Sequence, residues 1–357
     1  MTKTVTTKET MSAEPKPKAG GAAPRHFLST QDWSWPDLSA LIDHAGDLKQ
    51  NPIQPLLRGK SVALVFFNPS LRTRASFDIG ANQLGAHAVV LEPGGGSWEM
   101  AFGEGEVMDG SAEEHAKEAA RVLSRYCDII AVRAFPKFKD WSVDRQDLVL
   151  TAFATHATVP VINMETITHP CQELAHLMAL REHFGTDDLK SKKYVLTWTY
   201  HPKPLNTAVA NSAVQIATRA GMDVTMLCPD ERYLLDERYM TFATQNASET
   251  GGSFAVSHDI DSAYAGADVV YAKSWGAIPF FGNWEAEKPI RDANKHFIVD
   301  EQKMAMTNNA CFSHCLPARR NIKATDAVMD SPNSLIIEEA ENRLHVQKAL
   351  MAAVAGH

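Results

Sequence analysis

SVALVFF followed by NPSLRTR, residues 61–74, sets a run of apolar side chains directly before an asparagine–proline turn, two hydroxyls and two arginines. The apolar half has the length and β-branched content of a strand enclosed on both faces. The polar half, leading into ASFDIGANQLG, reads as the start of a helix. The first turn of a helix presents unpaired N–H groups and a partial positive charge, so it attracts anions. Ser70 and Thr73 add hydroxyls, and Arg72 adds a guanidinium that can fork two bonds to a phosphate. Arg72 and Arg74 lie two residues apart, so on a helix they point roughly 200° from each other. One suits a ligand and the other an ion pair. Read alone, the stretch is equally well a solvated helix start with surface arginines.

The same alternation recurs along the chain. Strand candidates are 61–67, 87–91, 127–135, 159–164, 194–200, 222–228, 254–258, 268–275 and 310–317, with helical patterns between them. One of these, 111–126, opens SAEE, which reads as a capping box of Ser111 and Glu114. Alternating strands and helices predict an α/β protein with parallel sheets covered on both faces. At 357 residues, two domains are expected. The reading is two doubly wound parallel-sheet domains with an interdomain cleft. Residues 1–25 form a disordered polar tail, 26–168 the first domain and 169–333 the second. The helical stretch 168–184 bridges them, and 334–357 folds back onto the first domain.

Net charge is −8, which argues against general nucleic-acid binding and leaves any anion site to a local cluster of cations. Five cysteines (127, 171, 228, 311 and 315) are too sparse for a disulfide framework and suit the cytoplasm. No apolar run approaches the ~18 residues that would imply a membrane partner. No G-x-G-x-x-G follows a strand and no P-loop lysine is present, so no cofactor is expected. Cys311 and Cys315 with Cys171 raise a zinc site. Without a second C-x-x-C, and with strand alternation turning His314 away from Cys311, Ser313 and Cys315, no metal is expected.

Ligands bind beyond the carboxyl ends of such strands. Four polar clusters fall there: NPSLRTR, Arg133, NMETITHPCQ at 163–172, and HCLPARR at 314–320. S-x-R-T-R, then H-P-C-Q-E-L, then H-C-L-P, in that order, resemble the aspartate/ornithine carbamoyltransferases. The resemblance covers the chain from about residue 26 onward. It implies a homotrimer that passes the carbamoyl group of carbamoyl phosphate to an amine. By this resemblance Ser70, Leu71, Arg72 and Thr73 hold the phosphate. Arg133, His169 and Thr73 donate to the carbonyl oxygen. Gln172 and the carbonyls around Cys315 and Leu316 take the NH₂ group. Pro170 and Cys171 belong to the same binding segment, and Arg343 reaches the ligand from the final helix. The plainer alternatives are a helix-start His169 ahead of Pro170 and an exposed Arg343 paired with Glu339.

The second substrate is read from a departure. Ornithine-using relatives carry an aspartate in a D-x-x-x-S-M-G loop, whereas the comparable YAKSWGAIPFFGNW (271–284) has Lys273 and no SMG. A lysine repels a free α-ammonium and suits an α-carboxylate, so the α-nitrogen of the amine should be acylated. Asn206 binds that end of the substrate and Glu165 holds the attacking δ-amine. The resemblance is to the branch of the family that uses acylated ornithines. There Trp98 is lent to the neighbouring subunit's site, Glu113 separates acetyl from succinyl substrates, and Lys323 is carboxylated. N-acetylornithine is therefore expected, with N-succinylornithine or a non-catalytic carbamoyl-phosphate-binding relative as alternatives. Glu113 reads equally as a first-turn helix residue, and Lys323 as an unmodified surface lysine.

Overall fold

The computed structural model describes residues 24–357. Eleven strands are described: β1 (Ser61–Phe66), β2 (His87–Leu91), β3 (Met100–Ala101), β4 (Glu114–His115), β5 (Ile129–Arg133), β6 (Val161–Glu165), β7 (Lys193–Trp198), β8 (Asp223–Leu227), β9 (Ser253–Ser257), β10 (Val269–Lys273) and β11 (Cys311–Ser313). They form two larger parallel sheets, ordered β2-β1-β5-β6 and β11-β10-β7-β8-β9, and a two-stranded β3-β4 pair. The central strands are continuous apolar runs because helices cover both faces; Val62 to Val65 and Ile129 to Val132 are fully buried.

Each sheet reverses its winding once, between β1 and β5 and between β7 and β10. A reversal sends the two outgoing loops apart and leaves a crevice at the strand ends. Both crevices open into one space, lined by Ser70 and Arg133 from one side and Lys273 from the other.

Helix Arg72–Gln83 shows how sequence aims these side chains. Its buried positions are Thr73, Phe77, Gly80 and Ala81, a single stripe at helical spacing. That stripe packs on the helix Ile336–Val354, which also lies against Trp35–Gln50 and Pro170–Phe184. The approach at Gly80 is close: a Cβ there would come within 3.2 Å of Lys348 Cγ. The ammonium of Lys348 is satisfied by the carbonyls of Leu48 and Pro52, at 2.9 and 3.1 Å. Burying Phe77 contributes about 1.5–3 kcal/mol to this packing.

Three local expectations are corrected. The helix expected from residue 111 begins at Ala116, with the His115 ring accepting from Lys117 N. Glu114 and His115 instead pair with Met100 and Ala101 as β4 and β3, which keeps the backbone extended where a capping box needs a helix. Ser111 donates to Glu99, so no box forms, and Glu113 is an exposed residue ahead of β4 rather than in a first helical turn. The polar tail falls largely on residues outside those described. Arg25, assigned to it, lies 3.6 Å over the Trp33 ring and pairs with Asp37 at 2.7 Å.

Candidate active site

The strand ends enclose a cavity of about 960 Å³. Its lining includes five cationic side chains, Arg72, Arg133, Lys273, Lys323 and Arg343, against the carboxylate of Glu165 within and the Glu92–Arg74 ion pair beside them. Arg72 and Arg74 thus divide as their helical spacing requires. The Arg72 Nε is buried without a partner among the described residues, whereas Arg74 is held by Glu92. In a chain of net charge −8, this local excess calls for an anionic ligand.

On the first wall, Ser70 Oγ accepts from Thr73 N at 3.2 Å and so shapes the helix start. Thr73 Oγ1 accepts from Arg343 Nη2, which ties the final helix to the first βα turn. Arg343 is buried, and desolvation brings its guanidinium down to about 10. A surface pair with Glu339 is therefore excluded, because both side chains are enclosed. A register shift between Val132 and Arg133 brings Arg133 opposite Glu165, and their side chains pair. The Arg133 Nε has no partner among the described residues, and its guanidinium lies over Phe135.

The turn between Glu165 and His169 is pinned from behind. Asn163 Nδ2 donates to the hydroxyls of Thr166 and Thr168, and Thr166 donates to Asp147. His169 N donates to Ser212 Oγ, and its ring lies with Nε2 3.4 Å from Glu165 and Nδ1 unpartnered among the described residues. Burial, then the nearby Arg343, Arg133, Lys273 and Arg72, hold this imidazole well below its usual range. It is therefore a neutral ring beside a cluster of cations. Gln172 Nε2 donates to Glu339, leaving its buried Oε1 without a partner among the described residues.

On the second wall, Lys273 Nζ lies 3.6 Å from Cys315 Sγ. Leu316 N donates to His314 Nδ1 at 2.8 Å, and Leu316 adopts a φ of +53°. Lys323 is buried rather than exposed, with Nζ 3.1 Å from His314 Nε2. Desolvation, then repulsion from Lys273, brings its ammonium down to about 7. Asn206 lines the cavity but is also structural, donating to Thr166 O and accepting from Ala208 N.

Not every expected residue lines this space. Pro170 and Cys171 sit behind it, and burial pushes the Cys171 thiol, directed at Asn163 O, up to about 12. Trp98 and Glu113 are exposed on the excursion around β3 and β4 and do not reach their own chain's cavity. Three participants were given no role in the site from the sequence. His201 lines the cavity, and His314 supports both Lys323 and Leu316. Glu339 accepts from Gln172, Tyr271 and Ser313, and its carboxylate also faces His176 Nδ1. His314 sits within the H-C-L-P motif, so its chemistry was visible there; Glu339 resembles any acid on an exposed helix face.

Two family models match the chain: the aspartate/ornithine carbamoyltransferase carbamoyl-P binding domain over residues 25–182, and the Asp/Orn binding domain over 203–354. The chain belongs to the aspartate/ornithine carbamoyltransferase family. Among its relatives is the N-acetylornithine carbamoyltransferase of Xanthomonas campestris pv. campestris, 71% identical over 332 residues, covering 93% of this chain and 98% of that one. The crystal structure of acetylornithine transcarbamylase complexed with acetylcitrulline matches with a TM-score of 0.93 and 71% identity, over 93% of this chain and 100% of that one. The N-succinylornithine carbamoyltransferase of Bacteroides fragilis is 36% identical over 322 residues, 89% of this chain and 95% of that one.

Proposed function

We propose that the chain transfers the carbamoyl group of carbamoyl phosphate to the δ-amine of N-acetyl-L-ornithine, giving N-acetyl-L-citrulline and phosphate in arginine biosynthesis. The observation that carries this reading is the placement of Lys273 across the cavity from the Ser70–Thr73 helix start. One wall suits a phosphate and the other a carboxylate without a neighbouring ammonium. The relatives named for acetylornithine support the same assignment.

In this reading Ser70, Leu71, Arg72 and Thr73 bind the phosphate with Arg343, and Arg133, His169 and Thr73 donate to the carbonyl oxygen as it gains charge. Gln172 Oε1 and the carbonyls of Cys315 and Leu316 accept from the carbamoyl NH₂. Lys273 and Asn206 hold the α-carboxylate end of the amine, and Glu165 orients its δ-nitrogen. That nitrogen has an ordinary pKa near about 10.4. Glu165 favours its charged form, while Arg72, Arg133, Lys273 and Arg343 oppose it. The neutral amine attacks the carbonyl carbon, the C–O bond to phosphate breaks, and the amine proton leaves on the phosphate. Removing one oxyanion donor of this kind typically costs ~10²–10³ in rate.

The reading includes a cytoplasmic homotrimer in which Trp98 reaches a neighbour's site, with Glu113 as the residue that separates acetyl from succinyl substrates. Five unpaired cysteines are compatible with that compartment, and the exposure of Trp98 with the subunit exchange. The test is a panel of acetyl-, succinyl- and unmodified ornithine with carbamoyl phosphate. Acetylornithine is turned over fastest, and Glu113→Ser moves the preference toward succinylornithine. Fastest turnover of free ornithine by the unaltered protein would defeat the assignment.

Carboxylation of Lys323 also belongs to this reading. An amine must be neutral to add to CO₂, giving a carbamate and a proton. With its ammonium at about 7, most of Lys323 is neutral at pH 8, whereas an ordinary lysine is almost wholly charged. Raising the pH through 7 therefore promotes the modification. Carbon-13 bicarbonate gives a carbamate resonance at pH 8 that weakens below pH 7 and is absent in Lys323→Arg; a spectrum identical in that variant rules out this site.

A further inference from the structure

We infer that Glu339 is a positioning residue that fixes the Gln172 amide with its oxygen toward the cavity, and thereby selects an acyl phosphate bearing NH₂ over one bearing a methyl group. The inference rests on the carbamoyl-phosphate reading of the cleft. Glu339 is fully buried on the helix Ile336–Val354, one turn before Arg343. Its Oε1 accepts from Gln172 Nε2 and, at 3.1 Å, from Tyr271 OH. Its Oε2 accepts from Ser313 Oγ and lies 2.9 Å from His176 Nδ1. The His176 Nε2 in turn lies 3.1 Å from Tyr194 OH. The carboxylate is thus held in one orientation from four sides.

A carboxylate only accepts hydrogen bonds, so the side of Gln172 that meets it must be the NH₂. Its oxygen is then the group left over, buried, without a partner among the described residues, on a residue that lines the cavity. Without Glu339 the amide could turn over and offer its NH₂ instead, meeting a methyl group or a ligand oxygen at no disadvantage relative to a carbamoyl NH₂. With Glu339 in place, a methyl at that point leaves a desolvated acceptor unpaired. The resulting discrimination is on the order of 10- to 100-fold. Glu339 touches no substrate atom in this scheme; it acts through Gln172.

Phosphonoacetamide and acetonylphosphonate are unreactive probes that differ only in NH₂ against CH₃. Their inhibition constants against carbamoyl phosphate are measured for the unaltered protein, Glu339→Met and Ser313→Ala, with thermal melts to confirm folding. The unaltered protein prefers phosphonoacetamide about 10- to 100-fold. Glu339→Met brings the two constants within about threefold of each other, because the acceptor that orients Gln172 is gone. Ser313→Ala keeps the preference, because it removes one donor to Glu339 and leaves the carboxylate facing Gln172. A folded Glu339→Met that retains the full preference overturns the inference. So does an unaltered protein that binds both probes equally, a result requiring no variant. If neither probe competes with carbamoyl phosphate, the reading of the cleft fails and the inference with it.

Discussion

Arg72→Ala raises the KM for carbamoyl phosphate about 10- to 100-fold and lowers kcat as well, the loss expected when a charged hydrogen-bond donor leaves a phosphate. Arg72 stands at the start of the helix Arg72–Gln83, with Nε buried and unpartnered among the described residues. Burial, and then the nearby Arg133, weaken its hold on its proton against the opposing pull of Cys315 and Glu165. A dianionic ligand relieves that arrangement, and more so as the leaving phosphate gains charge, so both kinetic constants respond. Arg72→Lys recovers only part of the loss, because an ammonium lacks the planar fork. Arg74→Ala stays within about threefold of the unaltered protein, since Arg74 is a half-exposed partner of Glu92. Steady-state kinetics with carbamoyl phosphate varied decide the matter, and near-normal constants for Arg72→Ala would remove it from the phosphate site.

Lys273→Ala acts on the other substrate. The kcat/KM for N-acetylornithine falls about 10- to 100-fold while the KM for carbamoyl phosphate changes little. Lys273 closes β10 beside the β7–β10 reversal, so its side chain enters the crevice from the second sheet, away from the Ser70–Thr73 turn. Lys273→Asp reverses the sign and improves the ratio of free-ornithine to acetylornithine turnover. An unchanged ratio in both variants would show that this side chain does not read the far end of the amine.

Much of this architecture is legible before any coordinates. All nine strand candidates overlap a strand, with ends displaced by at most four residues. Strands buried on both faces leave unbroken apolar runs, and such runs survive inspection. The β3–β4 pair escaped because two residues per strand carry no period. At Ser111 the pattern was present but its meaning differed: Ser-x-x-Glu serves a helix only if the backbone turns there, and pairing across to Met100 prevents it. Arg133 and Glu165 were both legible as cleft residues. That they pair with each other depends on a register shift that no local pattern announces. Glu339 and Lys323 show the remaining gap. Both look like surface charges in sequence, yet the fold buries them, Glu339 against Gln172 and Tyr271 from far back in the chain and Lys323 against His314.

The return of the final helix has a consequence for how the molecule comes into being. Thr73 and Arg343, which meet side chain to side chain, are 270 positions apart. A ribosome therefore completes the opening βα units and then the whole of the second sheet before the guanidinium that finishes the pocket has been made. Through that interval the faces of Trp35–Gln50 and Arg72–Gln83 that later receive Ile336–Val354 lack their cover, and nascent intermediates of this kind are prone to aggregate. Competence arrives with the helix Ile336–Val354, so a chain stalled before it has every described strand and no working centre.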